Sequence, residues 1–265
     1  MRKLRSILGL MATYFRVNLE SALEYRVSFI IQALGMALSN ASFVFFWWVA
    51  VGQAGGTVGG YEYLDILFIW AVTAAGFGLG HIFFANMRQI TRLIVTGELD
   101  TFLLQPRDVL LNVLCARTDM TAWGDFVYGV IMIGITRGLD ARAWGAFALG
   151  SVSGMMIVTA LNVTVQSLAF WAGEITALSN IASELALNFS LYPEGIYPGV
   201  IKLIMYTAIP VAFVSHVPLK LALGGAIWWA ALSIGVALVY TVIAWVFFTR
   251  GLRKYESGNL IVTRM

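Results

Sequence analysis

The sequence predicts an all-α integral membrane protein with six transmembrane helices, and three observations predict it. Hydrophobic residues make up 60% of the 265 and charged residues only 12%, against roughly 25% charged in a soluble domain. The apolar residues are gathered into nearly uncharged runs, most of them long enough to cross ~30 Å of hydrocarbon at about 1.5 Å per residue. The seventeen Lys and Arg residues collect outside those runs, mostly on one side of the membrane they would cross. Cys115 is the only cysteine, which excludes an internal disulfide and a cysteine-based metal site.

Residues 1–26 hold five of the seventeen Lys and Arg residues, and Leu4, Ile7, Leu8, Met11 and Phe15 recur at helical spacing. That pattern predicts an amphipathic helix in the membrane interface with its basic face toward anionic lipid headgroups. The plainer alternative is the wet end of the first span. The opening Met1-Arg2-Lys3-Leu4-Arg5 has the charge of a signal peptide, but Arg16, Glu20, Glu24 and Arg26 follow without a small-residue cleavage site.

The first span is placed at 27–51, followed by a glycine-rich turn from Gly52 to Gly60. The second is placed at 65–86, where Gly76 and Gly80 lie four apart and permit close helix approach. A polar segment, 87–110, separates it from a third span at 112–136, which carries Arg117 and Asp119 near its start and Asp125 deeper. Arg137, Asp140 and Arg142 form a short loop before the fourth span at 144–171, with Gly150 and Gly154 again four apart.

The fifth span has two placements. Hydropathy favours Pro198 to Val217, interrupted only by Lys202. The other is Ile175 to Leu191, where Ile175, Leu178, Ile181 and Leu185 make an apolar stripe; residues 192–218, with four prolines, would then dip into the membrane and return. The sixth span, 221–249, is uncharged and ends at Arg250. On the second placement thirteen basic residues fall on one side and four (Arg137, Arg142, Lys202, Lys220) on the other; on the first the division is fourteen to three. Either way the basic side, with both termini and the segment around Gly97, is predicted to be cytoplasmic.

No constellation for catalysis is visible. There is no His-Glu-x-x-His, no Gly-x-Ser-x-Gly and no phosphate-cradling Gly-x-x-x-x-Gly-Lys-Ser/Thr, and His81 and His216 fall at segment ends predicted to face opposite surfaces. The chain is therefore expected to bind no cofactor or metal of its own, to have no ATP site of its own, and to have membrane lipid rather than nucleic acid around it. Asp125 and Glu184 are ionisable groups at membrane depth, which is costly and makes them candidates for a translocation path or a proton relay. The alternative is structural: Asp125 hydrogen-bonded to a neighbouring helix, Glu184 facing a polar seam near Asn180 and Asn188. Phe43-Val44-Phe45-Phe46-Trp47-Trp48 and Trp228-Trp229 suit an interfacial aromatic belt or a surface for flat apolar molecules.

The longest polar interruption is Thr96-Gly97-Glu98-Leu99-Asp100-Thr101-Phe102-Leu103-Leu104-Gln105-Pro106-Arg107-Asp108, preceded by Arg88 and Arg92. Ile90, Leu93 and Ile94 make an apolar edge on a short predicted helix, and Gly97 suits a left-handed helix end. A short amphipathic helix fixed between two spans is what a membrane subunit needs to take up force from a soluble motor. A solvated loop would not need the apolar edge.

Thr96-Gly97-Glu98-Leu99-Asp100 followed by Leu103-Leu104-Gln105-Pro106 resembles the cytoplasmic loop of bacterial ABC-transporter permeases of the type-2 export class. Tyr192-Pro193-Glu194-Gly195-Ile196-Tyr197-Pro198, continuing to Ile209-Pro210-Val211-Ala212-Phe213 and Pro218, is similar to the proline-punctuated segment before that family's last span. Gly251-Leu252-Arg253-Lys254-Tyr255-Glu256-Ser257-Gly258 and Ser21-Ala22-Leu23-Glu24-Tyr25-Arg26 are similar to its tail and to its approach to the first span. The resemblance implies six spans with the fifth at 175–191, an interfacial N-terminal helix, a cytoplasmic coupling helix within 87–110 and a re-entrant extracellular segment at 192–218. It also implies partners: two copies of an ATP-binding-cassette ATPase subunit, which carry the ATP and magnesium, and a second permease chain, identical or homologous. Arg88, Arg92, Thr96, Gly97, Glu98, Leu99 and Asp100 would then face the motor. The expected activity is export of an amphipathic or hydrophobic cargo, a drug-like molecule or lipid, across the bacterial cytoplasmic membrane. The rivals are a secondary carrier using Asp125 and Glu184, and a non-transporting scaffold.

Overall fold

The computed structural model describes residues 2–24 and 26–256. Tyr25, the tail after Glu256 (including Ser257, Gly258 and Arg264) and the side chains of Leu4, Ile7 and Leu8 lie outside that description. The described residues are mainly helical. In order they form α1 (Arg2–Glu24), α2 (Arg26–Gln53), a two-residue hairpin of β1 (Thr57–Val58) and β2 (Tyr61–Glu62), and α3 (Tyr63–Phe84). Next come α4 (Ile90–Val95), α5 (Asp100–Leu103), α6 (Val109–Cys115), α7 (Ala122–Arg137), α8 (Ala141–Gln166) and α9 (Ala169–Ala172). The chain ends with α10 (Thr176–Leu191), α11 (Gly199–Tyr206), α12 (His216–Ala222) and α13 (Trp228–Leu252).

Four helical stretches among the described residues are long and apolar enough to cross a membrane: Ile30–Gln53, Tyr63–Val95, Ala141–Ala172 and Trp228–Leu252. A fifth is present if Gly199–Tyr206 and Val211–Ala222, bent by 70° against each other, are taken together. The 112–136 stretch is not one helix. It is divided between α6 and α7 because Asp119 turns the chain: its Oδ1 accepts hydrogen bonds from the Thr121 N–H at 2.9 Å and hydroxyl at 2.6 Å. Both disputed late segments are helical, α10 as 16 unbroken residues and the proline-rich stretch as two limbs.

The centre of the bundle is α3, from Ile66 to Ala75 almost entirely buried. It is flanked by α7 and α8. A Cβ on Gly129 of α7 would stand 2.6 Å from the Ala71 carbonyl oxygen, so only glycine lets these helices approach as closely as they do. On the other side Gly76 meets Gly154 of α8, one glycine from each spaced pair; a Cβ on Gly76 would lie 3.3 Å from the Gly154 Cα. In a lipid environment such close approach supplies the dispersion contacts that water-driven burial supplies elsewhere. At the hairpin end, Arg137 of α7 forms an ion pair with Asp65 of α3 and lies over the Phe68 ring at 5.6 Å. α1 meets the bundle at the other end: Phe15 lies against Phe83 and Trp123, and Asn18 Nδ2 donates to Thr118 Oγ1 at 3.0 Å.

Candidate functional site

The 87–95 stretch is not a detached helix. A single irregular turn (Ala85–Gln89) joins α3 to α4, and Tyr63–Val95 runs on as one apolar stretch of 33 residues, about 50 Å long. That exceeds the ~30 Å of hydrocarbon by several turns, more than an upright crossing needs. The chain turns back only after α4. Gly97, at φ +77°, takes the left-handed conformation that glycine adopts without penalty. The turn carries the Leu99 N–H to the Leu93 carbonyl at 3.0 Å and leads into α5.

The apolar edge faces inward. Ile90, Leu93, Ile94 and Leu99 are buried with Leu110 and Val113 of α6 and Phe248 of α13, so it fastens the segment to its own bundle and leaves a polar outer face. Three polar ties complete the anchorage. Gln166, at the end of α8, accepts from the Thr91 N–H at 2.9 Å and from the Thr91 hydroxyl, and donates to the Arg88 carbonyl at 3.1 Å. Asn86 Nδ2 donates to the Val113 carbonyl at 2.7 Å. Asp100 stands beside Tyr255; burial, and then that carboxylate, push the tyrosine hydroxyl up to about 12.

On the outer face Arg92 pairs with Glu98 at 2.7 Å and donates to Gln89 at 3.1 Å, and the Thr96 hydroxyl donates to the Arg92 carbonyl at 2.8 Å. Leu103 and Leu104 project at the tip, Leu104 with 88% of its surface exposed. Arg88 and Arg92 also turn toward a cavity of about 900 Å³ between the α3–α4 stretch, the 116–121 turn and the start of α10.

The two acidic candidates are not brought together. Asp125 lies in the first turn of α7 and accepts from Asn40 of α2 at 3.2 Å. Glu184 is exposed on α10, where its carbonyl accepts from Asn188 Nδ2 at 2.8 Å.

A third carboxylate, met in the sequence only inside the Tyr192–Pro198 motif and given no role there, is the most tightly held. Glu194, 4% exposed, accepts from the Tyr206 hydroxyl at 2.6 Å and the Tyr61 hydroxyl at 3.2 Å. Lys220 Nζ lies 2.9 Å away and Lys202 Nζ 3.3 Å. Burial opposes the charge, but the hydrogen bonds from Tyr206 and Lys220 outweigh it and hold the carboxyl at about 2. Next to it, a Cβ on Gly195 would fall 1.9 Å from the Gly59 carbonyl oxygen, so the hairpin seats directly on this turn. The available signal was sparse: Glu194 is the sole acidic residue between Glu184 and Glu256, and Lys202 and Lys220 are the only Lys or Arg between Arg142 and Arg250. Gln166 carries no motif, and the Leu103-Leu104-Gln105-Pro106 motif does not by itself say that Leu103 and Leu104 are exposed.

A helical bundle with several membrane-length apolar stretches defines a multi-pass membrane protein. The family model described as ABC-2 family transporter protein matches residues 38–258, and the chain belongs to that family. It is thus an ABC-2 type permease, a membrane component of a transport system rather than a catalyst, and its family implies an ATP-binding-cassette partner in general terms. No curated protein matches the chain.

Proposed function

We propose that this chain is the transmembrane permease subunit of an ATP-driven exporter in a bacterial cytoplasmic membrane. It moves an amphipathic or hydrophobic cargo by alternating access, paired with a second permease chain and driven by two ATPase subunits. On this reading the chain crosses six times, by α2, α3, α7, α8, α10 and α13. The α4 end and both termini are cytoplasmic, and 192–218 is re-entrant from outside. Helices α7 and α10, at 16 residues and so about 24 Å, cross with help from local thinning or from neighbours.

The observation that carries the reading is the anchorage of the 87–110 segment. Its apolar edge and Gln166 lock it to α6, α8 and α13, while Thr96, Glu98 and the Leu103–Leu104 tip stay exposed. A part that is rigid inward and open outward transmits force from a soluble partner to the spans. Gly97, Leu99 and Asp100 hold its shape, and Arg88 and Arg92 form its membrane-side flank. ATP binding on the motor would then bias the spans between inward-open and outward-open states. Proton coupling through Asp125 and Glu184 draws no support from their separate settings.

Co-purification in mild detergent with ATP hydrolysis as readout tests this. Wild-type chain should carry an ATPase subunit in stoichiometric amount, and Glu98→Lys with Leu104→Asp should lose it or uncouple its hydrolysis from flux. A clean chain whose flux in vesicles follows a proton gradient alone would overturn the proposal.

A further inference from the structure

The cavity beside α4 is lined mostly by polar residues, among them His81, Arg88, Arg92, Arg117, Asp119 and Glu174. His81, Arg88 and Arg92 all come from the α3–α4 stretch and line one side of the cavity. Arg117 comes from the facing wall, the turn between α6 and α7.

The charges are not paired with one another. Asp119 accepts from the Thr121 amide and hydroxyl through Oδ1 alone and keeps its charge. Glu174 accepts from the Thr176 N–H at 2.7 Å, and its hydrogen bonds to Thr176 keep it below the usual carboxylate range. Arg92 is taken by Glu98. The guanidinium groups of Arg88 and Arg117 have no ion pair among the described residues, and both are exposed to the same space. Asp119 and Glu174 match the two arginines in number, so any selection for an oxyanion is by geometry: each unpaired guanidinium offers a fork of donors that a phosphate-type group accepts in pairs.

The surroundings bear on where such an anion comes from. The rim is formed in part by Thr118, to which α1 is bonded through Asn18, and α1 also packs on Phe83 and Trp123 through Phe15. The cavity therefore opens beside α1, the helix whose sequence pattern predicts an interfacial position, and its about 900 Å³ falls in the range that holds whole small molecules.

We infer that this cavity is a binding site for a phosphate-type oxyanion, borne by an anionic amphiphile of the inner leaflet or free in solution, with Arg88 and Arg117 as the gripping residues. It rests on the proposed orientation only for which leaflet supplies the amphiphile. In outline, a negatively charged headgroup enters past α1 and is held beside the force-receiving segment.

The test is equilibrium binding to the full chain in detergent, without nucleotide or motor, so it is independent of whether an ATPase co-purifies. Radiolabelled phosphatidylglycerol, phosphatidylcholine and inorganic phosphate are the probes. Phosphatidylglycerol should bind saturably and outcompete phosphatidylcholine, and Arg88→Ala with Arg117→Ala should weaken it about tenfold or more, as expected for lost charge-assisted hydrogen bonds. Arg253→Ala with Lys254→Ala, which removes the same charge elsewhere, should leave it unchanged. Inorganic phosphate binding that falls in the same arginine pair, with no phosphatidylglycerol preference, would assign the site to a free anion. Both side chains are exposed, so folding should survive, and Arg88→Gln with Arg117→Gln provides a second variant of retained length. If neither probe responds to either arginine pair, or both pairs and the control fall alike, the inference is overturned.

Discussion

Glu194 takes its charge into a nearly closed space and meets two lysines and two tyrosines there. A buried ion pair of this kind adds little over an apolar substitute, and removing the carboxylate leaves lysines that water still reaches, so the cost is that of the lost hydrogen bonds to a charged group, about 1.5–3 kcal/mol. Glu194→Gln should therefore lower the thermal unfolding midpoint in detergent by several degrees, while Glu184→Gln, on an exposed carboxylate, should leave it nearly unchanged. The sign of the pH effect follows from the depressed value. The folded carboxyl sits at about 2 against an ordinary value of 4.5, so its stabilisation is complete above about pH 5 and drains away as pH falls toward 2. Unfolding midpoints measured between pH 3 and 7 should drop on the acid side in the wild type, and that slope should flatten in Glu194→Gln. A profile that is the same in both would refute this account. The sequence did not disclose this because its partners are 8 to 133 residues away along the chain: a lone Glu is assigned meaning only when the fold has placed Tyr61, Lys202, Tyr206 and Lys220 around it.

Among the elements, α8 and α4 are coupled through one amide. Gln166 uses three of its four hydrogen-bonding positions on Thr91 and Arg88, in a buried site. Gln166→Leu should leave the buried Thr91 N–H unsatisfied, costing about 1–3 kcal/mol. The expected signature is local: faster amide exchange over residues 88–95, with the centre of α3 unchanged and ATP-coupled flux reduced. Uniform exchange across the bundle would instead mean a general loss of packing. Hydropathy revealed the apolar stretches because lipid demands long uncharged runs. It read Ile90, Leu93 and Ile94 correctly as an apolar edge. It did not reveal that this edge continues the second span, since the irregular turn at Ala85–Gln89 bends the chain too little to break it. The gap between α6 and α7 escaped for a related reason. Asp119 makes that turn by local capping, and a window average does not register two hydrogen bonds.

For the whole molecule, membership of the ABC-2 family and the helical, membrane-length architecture were legible from composition and four short motifs. Orientation, span number and partners were legible only as expectations, because they depend on a membrane and on other chains. Orientation is open to a direct check. Leu139, 95% exposed in the α7–α8 turn, and Leu104, 88% exposed at the α5 tip, lie on opposite sides of the proposed topology. In a Cys115→Ser background, a membrane-impermeant maleimide should label Leu139→Cys on intact spheroplasts and Leu104→Cys only after permeabilisation. The reverse pattern would invert the topology and place the Arg88–Arg117 cavity on the outer leaflet.

The contact between Gly76 and Gly154 divides the Tyr63–Val95 rod unequally, with about 20 Å toward the hairpin and about 30 Å toward the α4 tip. Helix α8 also holds the rod at Thr91 through Gln166, about 22 Å along from the glycine crossing. Gripped at two points, the rod is clamped to α8 rather than hinged on it. A push at the α4 tip would therefore carry α3 and α8 together as one body.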